Sequence, residues 1–266
     1  MTSLRYRSSG FTLVEIAIVL VIFGLIMSAL FVPLRAQREQ AALTQTINAM
    51  DNAKQALLAF AQVNGRLPCP ATATNFIKDT DAGSFGMENP LGGTRNITPP
   101  LPAVPNCAAY VGFLPAATLG LQPVDGSGFA LDAWGNRIRY AVTSVDSSAT
   151  CGGDTAPDFT TAGNMSVVGL SCLAPNLRVC STSVVANCSV AVNLINNAVA
   201  VVYSTGATAV LGSAGKADES ENLNIDTIFV SHDIYQGDTP NEFDHIVTWI
   251  SPYVLYNAMI QAGQLH

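Results

Sequence analysis

Charge is scarce in this chain. Only 12% of its 266 residues are Asp, Glu, Lys or Arg, and 12 basic side chains face 19 acidic ones. The resulting formal charge of −7 argues against general nucleic-acid binding, which depends on neutralising phosphates. Enzyme signatures are missing as well: no G-x-S-x-G, P-loop or G-x-G-x-x-G occurs, so no catalytic activity is expected. Ser231-His232-Asp233 and Asp244-His245 set histidines beside carboxylates, but strand neighbours point to opposite faces and cannot share a proton. Both histidines read as surface or packing residues. No C-x-x-C is found, and the three histidines lie far from the cysteines, which leaves a zinc site little support. Cysteine is absent before position 69.

The chain does hold one long apolar run, Phe11 to Val32, interrupted by a single charge, Glu15. As a helix rising about 1.5 Å per residue, such a run crosses a hydrocarbon core of ~30 Å. Arg5 and Arg7 precede it without an acidic residue, which predicts a cytoplasmic N-terminus and a translocated remainder. The run is too long for a signal peptide, and Met27-Ser28-Ala29 matches the small-residue cleavage pattern poorly. An ordinary signal anchor leaves Glu15 unexplained, because an ionisable group in lipid is costly and marks function.

Gly10-Phe11-Thr12-Leu13-Val14-Glu15 followed by an apolar helix resembles the prepilin signature of type IV pilins and the pseudopilins of type II secretion. The resemblance implies that prepilin peptidase cuts between Gly10 and Phe11 and that the new Phe11 amine is N-methylated. It further implies that Glu15 pairs with the Phe11 amine of a neighbouring subunit on assembly. Gly24 sits where the family has a helix glycine, whereas Pro33 falls one position later than the family proline. The expected partners are prepilin peptidase, other pilins or pseudopilins in a filament, and an inner-membrane assembly platform.

Translocation fits the six cysteines, an even number that reads as three disulfides. Their spacing suggests Cys69–Cys107, Cys151–Cys172 and Cys180–Cys188, among 15 possible pairings. The helical pattern continues from Arg35 to Val63 with Leu43, Ile47, Met50, Leu57 and Ala61 near one face, and Asn64-Gly65 and Pro68 stop it. A Pro-, Gly- and Asn-rich loop runs from Leu67 to about Pro105, and Gly112 to Leu121 reads as a turn and short helix. Asp132-Ala133-Trp134-Gly135-Asn136 is turn chemistry before a strand over Arg137 to Val142, and it resembles the start of the sheet in major pseudopilins. There Asp132 would accept hydrogen bonds from the turn and Trp134 would pack over the helix; a sugar-binding Trp134 is the weaker alternative. Further strands are predicted at Met165–Leu170, Ala198–Ser204, Thr227–Ser231 and Ile246–Ile250, in an antiparallel sheet, with a closing helix from Pro252 to Gln264.

The acidic stretch Asp218 to Asp244 is where a ligand could hide. Asn222, Asn224 and Asp226 place oxygens at alternate positions, and calcium takes six to eight oxygen ligands. Major pseudopilins carry a C-terminal calcium loop, which this stretch resembles in place but not residue for residue. It lacks the glycine and terminal glutamate of an EF-hand, and a solvated acidic loop is the competing reading.

The fold class expected is α+β: a long N-terminal membrane-spanning helix, the pilin spine, packed on an antiparallel sheet with disulfide-stapled loops. It divides into a leader (1–10), a membrane and assembly helix (11–33), an amphipathic spine helix (34–65) and a globular periplasmic or extracellular domain (66–266). Two functions remain open, a minor pilin or pseudopilin in a filament, and a pilus-tip adhesin that uses the 151–188 insertion.

Overall fold

The first helix, α1, runs unbroken over Leu13–Asn64. It appears in a computed structural model that describes residues 12–72, 86–89, 107–152, 155–183, 188, 192–209, 216–237 and 241–266. The chain forms two compact units, Met1–Thr44 and Gln45–His266. The helix passes through Pro33, so the spine continues the segment before it as one long helix, as expected. Gly65 ends it with φ 65°, a left-handed geometry that glycine adopts without a Cβ penalty, and its N–H donates to Ala61 O at 2.9 Å.

In the second unit, the buried stripe of α1 is Thr46, Met50, Ala53, Leu57 and Ala61, at steps of four and three. Ile47, placed on this face by the sequence pattern, is 42% exposed. Thr46 takes its place because its hydroxyl accepts from Ala133 N at 3.1 Å, which satisfies the one polar group in the stripe.

A four-stranded antiparallel sheet forms from β1 (Val111–Phe113), β2 (Arg139–Val142), β5 (Ala200–Ser204) and β7 (Ile246–Ile250), in the order β1-β2-β5-β7. Alternation sorts its two faces. Tyr140, Val142, Ala200, Val202 and Ile250 join one core with Met50, Leu57 and the closing helix α6 (Pro252–Gln261). Ala141, Val201 and Tyr203 join a second core with Leu177, Val179, Ala198 and Phe229. The latter come from a second sheet of β4 (Asn193–Ala198), β3 (Leu177–Cys180) and β6 (Ile228–Val230), ordered β4-β3-β6. Its β3–β6 pair is parallel, an exception to the antiparallel expectation that the long connection between them permits.

Met165–Leu170 is not a strand: Asn164–Val168 forms the short helix α4. Gly112 to Leu121 holds β1 as well as the expected short helix, α2 (Ala116–Leu119). The stretch from Cys151 to Cys188 contributes β3, the middle strand of the second sheet, and so is more than a surface insertion. The disulfides are Cys69–Cys107, Cys151–Cys172 and Cys180–Cys188, the pairs that the spacing suggests. Near the first, Arg66 Nη1 and Nη2 each donate to Glu88 at 2.8 Å. Cys69 N also donates to Glu88, at 3.2 Å.

Candidate functional site

Gly10 and Phe11 lie outside the described residues. Glu15 stands in the first turn of α1, where its carboxylate accepts from Thr12 N at 3.0 Å and from Thr12 Oγ1 at 2.9 Å. Glu15 N donates back to Thr12 Oγ1 at 3.3 Å. This reciprocal pattern is a capping box, which satisfies donors that the helix start leaves without partners. Sequence reasoning assigned Glu15 to assembly and missed this local role, although Thr12 three residues before Glu15 is its signature.

From Leu13 to Met27 the large apolar side chains are all exposed, from 38% at Met27 to 85% at Leu13. Among the described residues no helix is long and apolar enough to cross a membrane. The fifteen residues from Leu13 to Met27 span about 22 Å as a helix, short of a ~30 Å core. The expected membrane helix of 11–33 includes Phe11 and side chains of 28–33 that lie outside the description.

Asp132 organises the turn before β2. Its Oδ1 accepts from Trp134 N at 3.0 Å and Asn136 N at 2.7 Å, and its Oδ2 accepts from Ser204 Oγ at 2.6 Å. Asn136 Nδ2 donates to Gly206 O at 2.7 Å. The turn is thereby bound to the end of β5 and, through Ala133 and Thr46, to α1. Trp134 is half-buried; the fastening comes from Asp132.

The calcium candidates do not converge. Asn222 is fully buried and spends both ends of its amide on one backbone residue: Nδ2 donates to Val230 O at 2.9 Å and Oδ1 accepts from Val230 N at 2.7 Å. Asp226 Oδ1 accepts from Ile228 N at 2.8 Å and closes an exposed turn. Asn224 Oδ1 is left without a hydrogen-bond partner among the described residues. Two of the three oxygens are therefore committed to holding β6.

A different cluster does assemble. The ligand atoms of Glu219, Asp244 and His245 lie within 4.8 Å of one another, all buried. Glu219 comes from the short helix α5 (Ala217–Glu221), and its Oε1 accepts from Asp244 N at 3.1 Å. Gly206, at φ 68°, passes so close to Asp244 that a Cβ would not fit. Lys216 Nζ lies 3.3 Å from Glu219 Oε2 and 3.2 Å from Glu242 Oε2. Burial pushes the Glu219 carboxyl above its usual value, with the Asp244 charge adding to it and the Asp244 N–H and Lys216 opposing it.

Burial lowers the His245 imidazole to about 4, with Arg139 and Lys216 repelling its proton further. Asn222 Nδ2, whose orientation Val230 fixes, faces His245 Nδ1 at 3.2 Å. This assigns Nδ1 as an acceptor and puts the ring proton on Nε2. A metal at this ring would have to displace either the Nε2 proton or the Asn222 contact at Nδ1, and would also meet the Lys216 ammonium. Lys216 thus offsets part of the negative charge, while Asp244 Oδ1 is left buried without a hydrogen-bond partner among the described residues. Sequence reading missed the cluster because up to 26 residues separate its members.

His232 is likewise a packing residue. Its Nε2 lies 3.2 Å from Asp218 Oδ2, and its ring lies 3.9 Å from that of Phe243.

The family model for the prokaryotic N-terminal methylation motif matches residues 5–31. No curated protein and no solved structure matches the chain. The matched residues span Gly10, Phe11 and Glu15, so the chain carries at its N-terminus the methylation motif that is the signature of type IV pilin-like and pseudopilin proteins.

Proposed function

We propose that this chain is a minor pilin or pseudopilin, a structural subunit that joins a type IV pilus or a type II secretion pseudopilus. Prepilin peptidase cuts between Gly10 and Phe11 on the cytoplasmic side, and the Phe11 amine is methylated. The apolar helix holds the subunit in the inner membrane as a single pass, with its globular domain in the periplasm, until an assembly platform draws it into the filament. Glu15 then exchanges its bonds to Thr12 for the Phe11 amine of a neighbour.

One observation carries this reading. The first turn of α1 holds a lone carboxylate at the head of a row of apolar side chains that the chain itself leaves uncovered. An exposed apolar surface of that length marks a lipid or protein contact, and a carboxylate within it gains from a cationic partner. Mass spectrometry of the mature N-terminus tests the reading: it should begin at a methylated Phe11, and a retained Arg5 and Arg7 would refute it. A deletion strain scored for both secretion and piliation assigns the machine.

A tip-located binding module is the second reading. It is favoured by a groove that the Cys151–Cys172 loop shares with α6.

A further inference from the structure

We propose that this groove is a binding site for a neutral saccharide. It encloses about 410 Å³, within the roughly 300–1,000 Å³ range of small-molecule sites. Tyr253 and Tyr256 from α6 form one wall, Leu170 and Leu173 on either side of the Cys172 bridge another, and Asn196 and Asn197 from β4 a third. No Asp, Glu, Lys or Arg lines it among the described residues.

The aromatic wall is built from one fixed ring and one exposed ring. Tyr256 Oη donates to Leu173 O at 3.3 Å, and its ring stacks 6.5 Å from Phe159 at 14°. Tyr253, one helical turn earlier, is 77% exposed. The Asn196 and Asn197 side chains make no hydrogen bond to any described residue. Each amide can donate and accept at once.

These features select the ligand class by elimination. A charged ligand would be desolvated without a counter-charge, and a nucleic acid would find no cation for its phosphates. A purely apolar ligand would cover the two asparagine amides and leave their polar groups unsatisfied, which costs affinity. A pyranose offers an apolar C–H face for a tyrosine ring and hydroxyls at its rim for the amides. That complementarity of flat apolar body and polar edge suits amphipathic aromatic sites.

The site gives chemical content to the tip-adhesin reading but is tested apart from it, by binding in vitro. Full-length protein in a detergent without a sugar headgroup is titrated with D-glucose, D-galactose and N-acetyl-D-glucosamine, followed by saturation-transfer NMR. At least one sugar should bind with millimolar affinity. Tyr253→Ala and Asn196→Ala should each weaken it by up to about tenfold, the cost of losing an aromatic contact or a neutral hydrogen bond. Both side chains are exposed, so the melting temperature should stay as in the parent. The proposal is overturned if no sugar gives a saturable signal at about 50 mM, far above a millimolar dissociation constant, or if both variants bind undiminished. It is also overturned if the variants impair cross-linking between copies of the chain while no sugar binds, which would make a second subunit the occupant. Loss of filament incorporation in a Glu15 variant with sugar binding intact would leave the two readings separately judged.

Discussion

Arg66 and Glu88 meet through two parallel 2.8 Å hydrogen bonds, with side chains 7% and 4% exposed. A guanidinium and a carboxylate that face each other this way are each the other's main compensation for leaving water. Glu88 also accepts from Cys69 N, and its own N–H donates to Thr118 Oγ1 at 2.8 Å. The pair therefore holds together the end of α1, the first disulfide and, through Thr118, helix α2. Glu88→Ala should cost about 3–5 kcal/mol, the usual loss when one partner of a buried pair is left alone. Replacing both residues with apolar ones should recover part of that loss. Urea unfolding measures both, and a Glu88→Ala loss under about 1 kcal/mol, typical of surface pairs, would refute the assignment.

The neighbouring disulfide closes a 38-residue separation. On the loop-entropy model a closure of that size contributes about 4 kcal/mol by restricting the unfolded chain. Cys69→Ser with Cys107→Ser should lower the unfolding free energy by about that amount and raise the denaturant slope, because the released unfolded chain expands and exposes more surface. An unchanged midpoint would show that the bond adds nothing.

Glu15→Ala should leave export and cleavage intact while largely abolishing incorporation into the filament. Thr12→Val, which removes the cap hydroxyl at 2.9 Å but keeps the carboxylate, should assemble. Immunoblotting of sheared filaments against membranes separates these outcomes. If Glu15→Ala subunits incorporate normally, the pairing with the Phe11 amine is wrong.

His245 makes the fold sensitive to acid. An unfolded chain takes up this proton near 6.5, whereas the folded one holds the ring neutral to about 4, chiefly through burial. Between those values the unfolded state binds more protons, so this contribution is complete above pH 6.5 and is lost as pH falls through about 4. The loss is on the order of 3 kcal/mol. Glu219, raised by burial, acts in the opposite sense, taking its proton in the folded state first. The clean readout is therefore the histidine itself: its ring carbon protons should not titrate by NMR until about pH 4. Titration near 6.5 would contradict the buried, donor-faced ring.

Calcium at millimolar concentration should leave the melting temperature unchanged, because Asn222 is paired with Val230 and Lys216 occupies the carboxylates of Glu219 and Glu242. A saturable rise would show that the acidic stretch gathers its oxygens in some other way.

Local patterns made much of this legible. The 3.6-residue periodicity marked the helix to Asn64, and Ile246–Ile250 read directly as a strand. Adjacent signals also gave the Asp132 turn. What failed depended on distance along the chain. The apolar run at Met165–Leu170 is too short for its period to tell strand from helix, and tertiary packing made it helical. Leu177–Cys180 went unnoticed because four residues are too short to establish a period, and Asn193–Ala198 because its asparagines obscure the apolar pattern; tertiary pairing defines both. Ile47 lost its place to Thr46 through a hydrogen bond from a turn 87 residues away. Lys216, Glu219, Asp244 and His245 could not be seen as one cluster, since only the tertiary approach of α5 to the segment before β7, held by Asp244 N donating to Glu219, brings them together.

The position of β3 changes what the region between Cys151 and Cys188 can tolerate. It pairs with β4 on one side and β6 on the other, so trimming the region would unpair two strands and uncover Tyr203 and Phe229. Within the strand the outward Arg178 is therefore the position that can change most freely, while the buried Leu177, Val179 and Cys180 form a fixed plank.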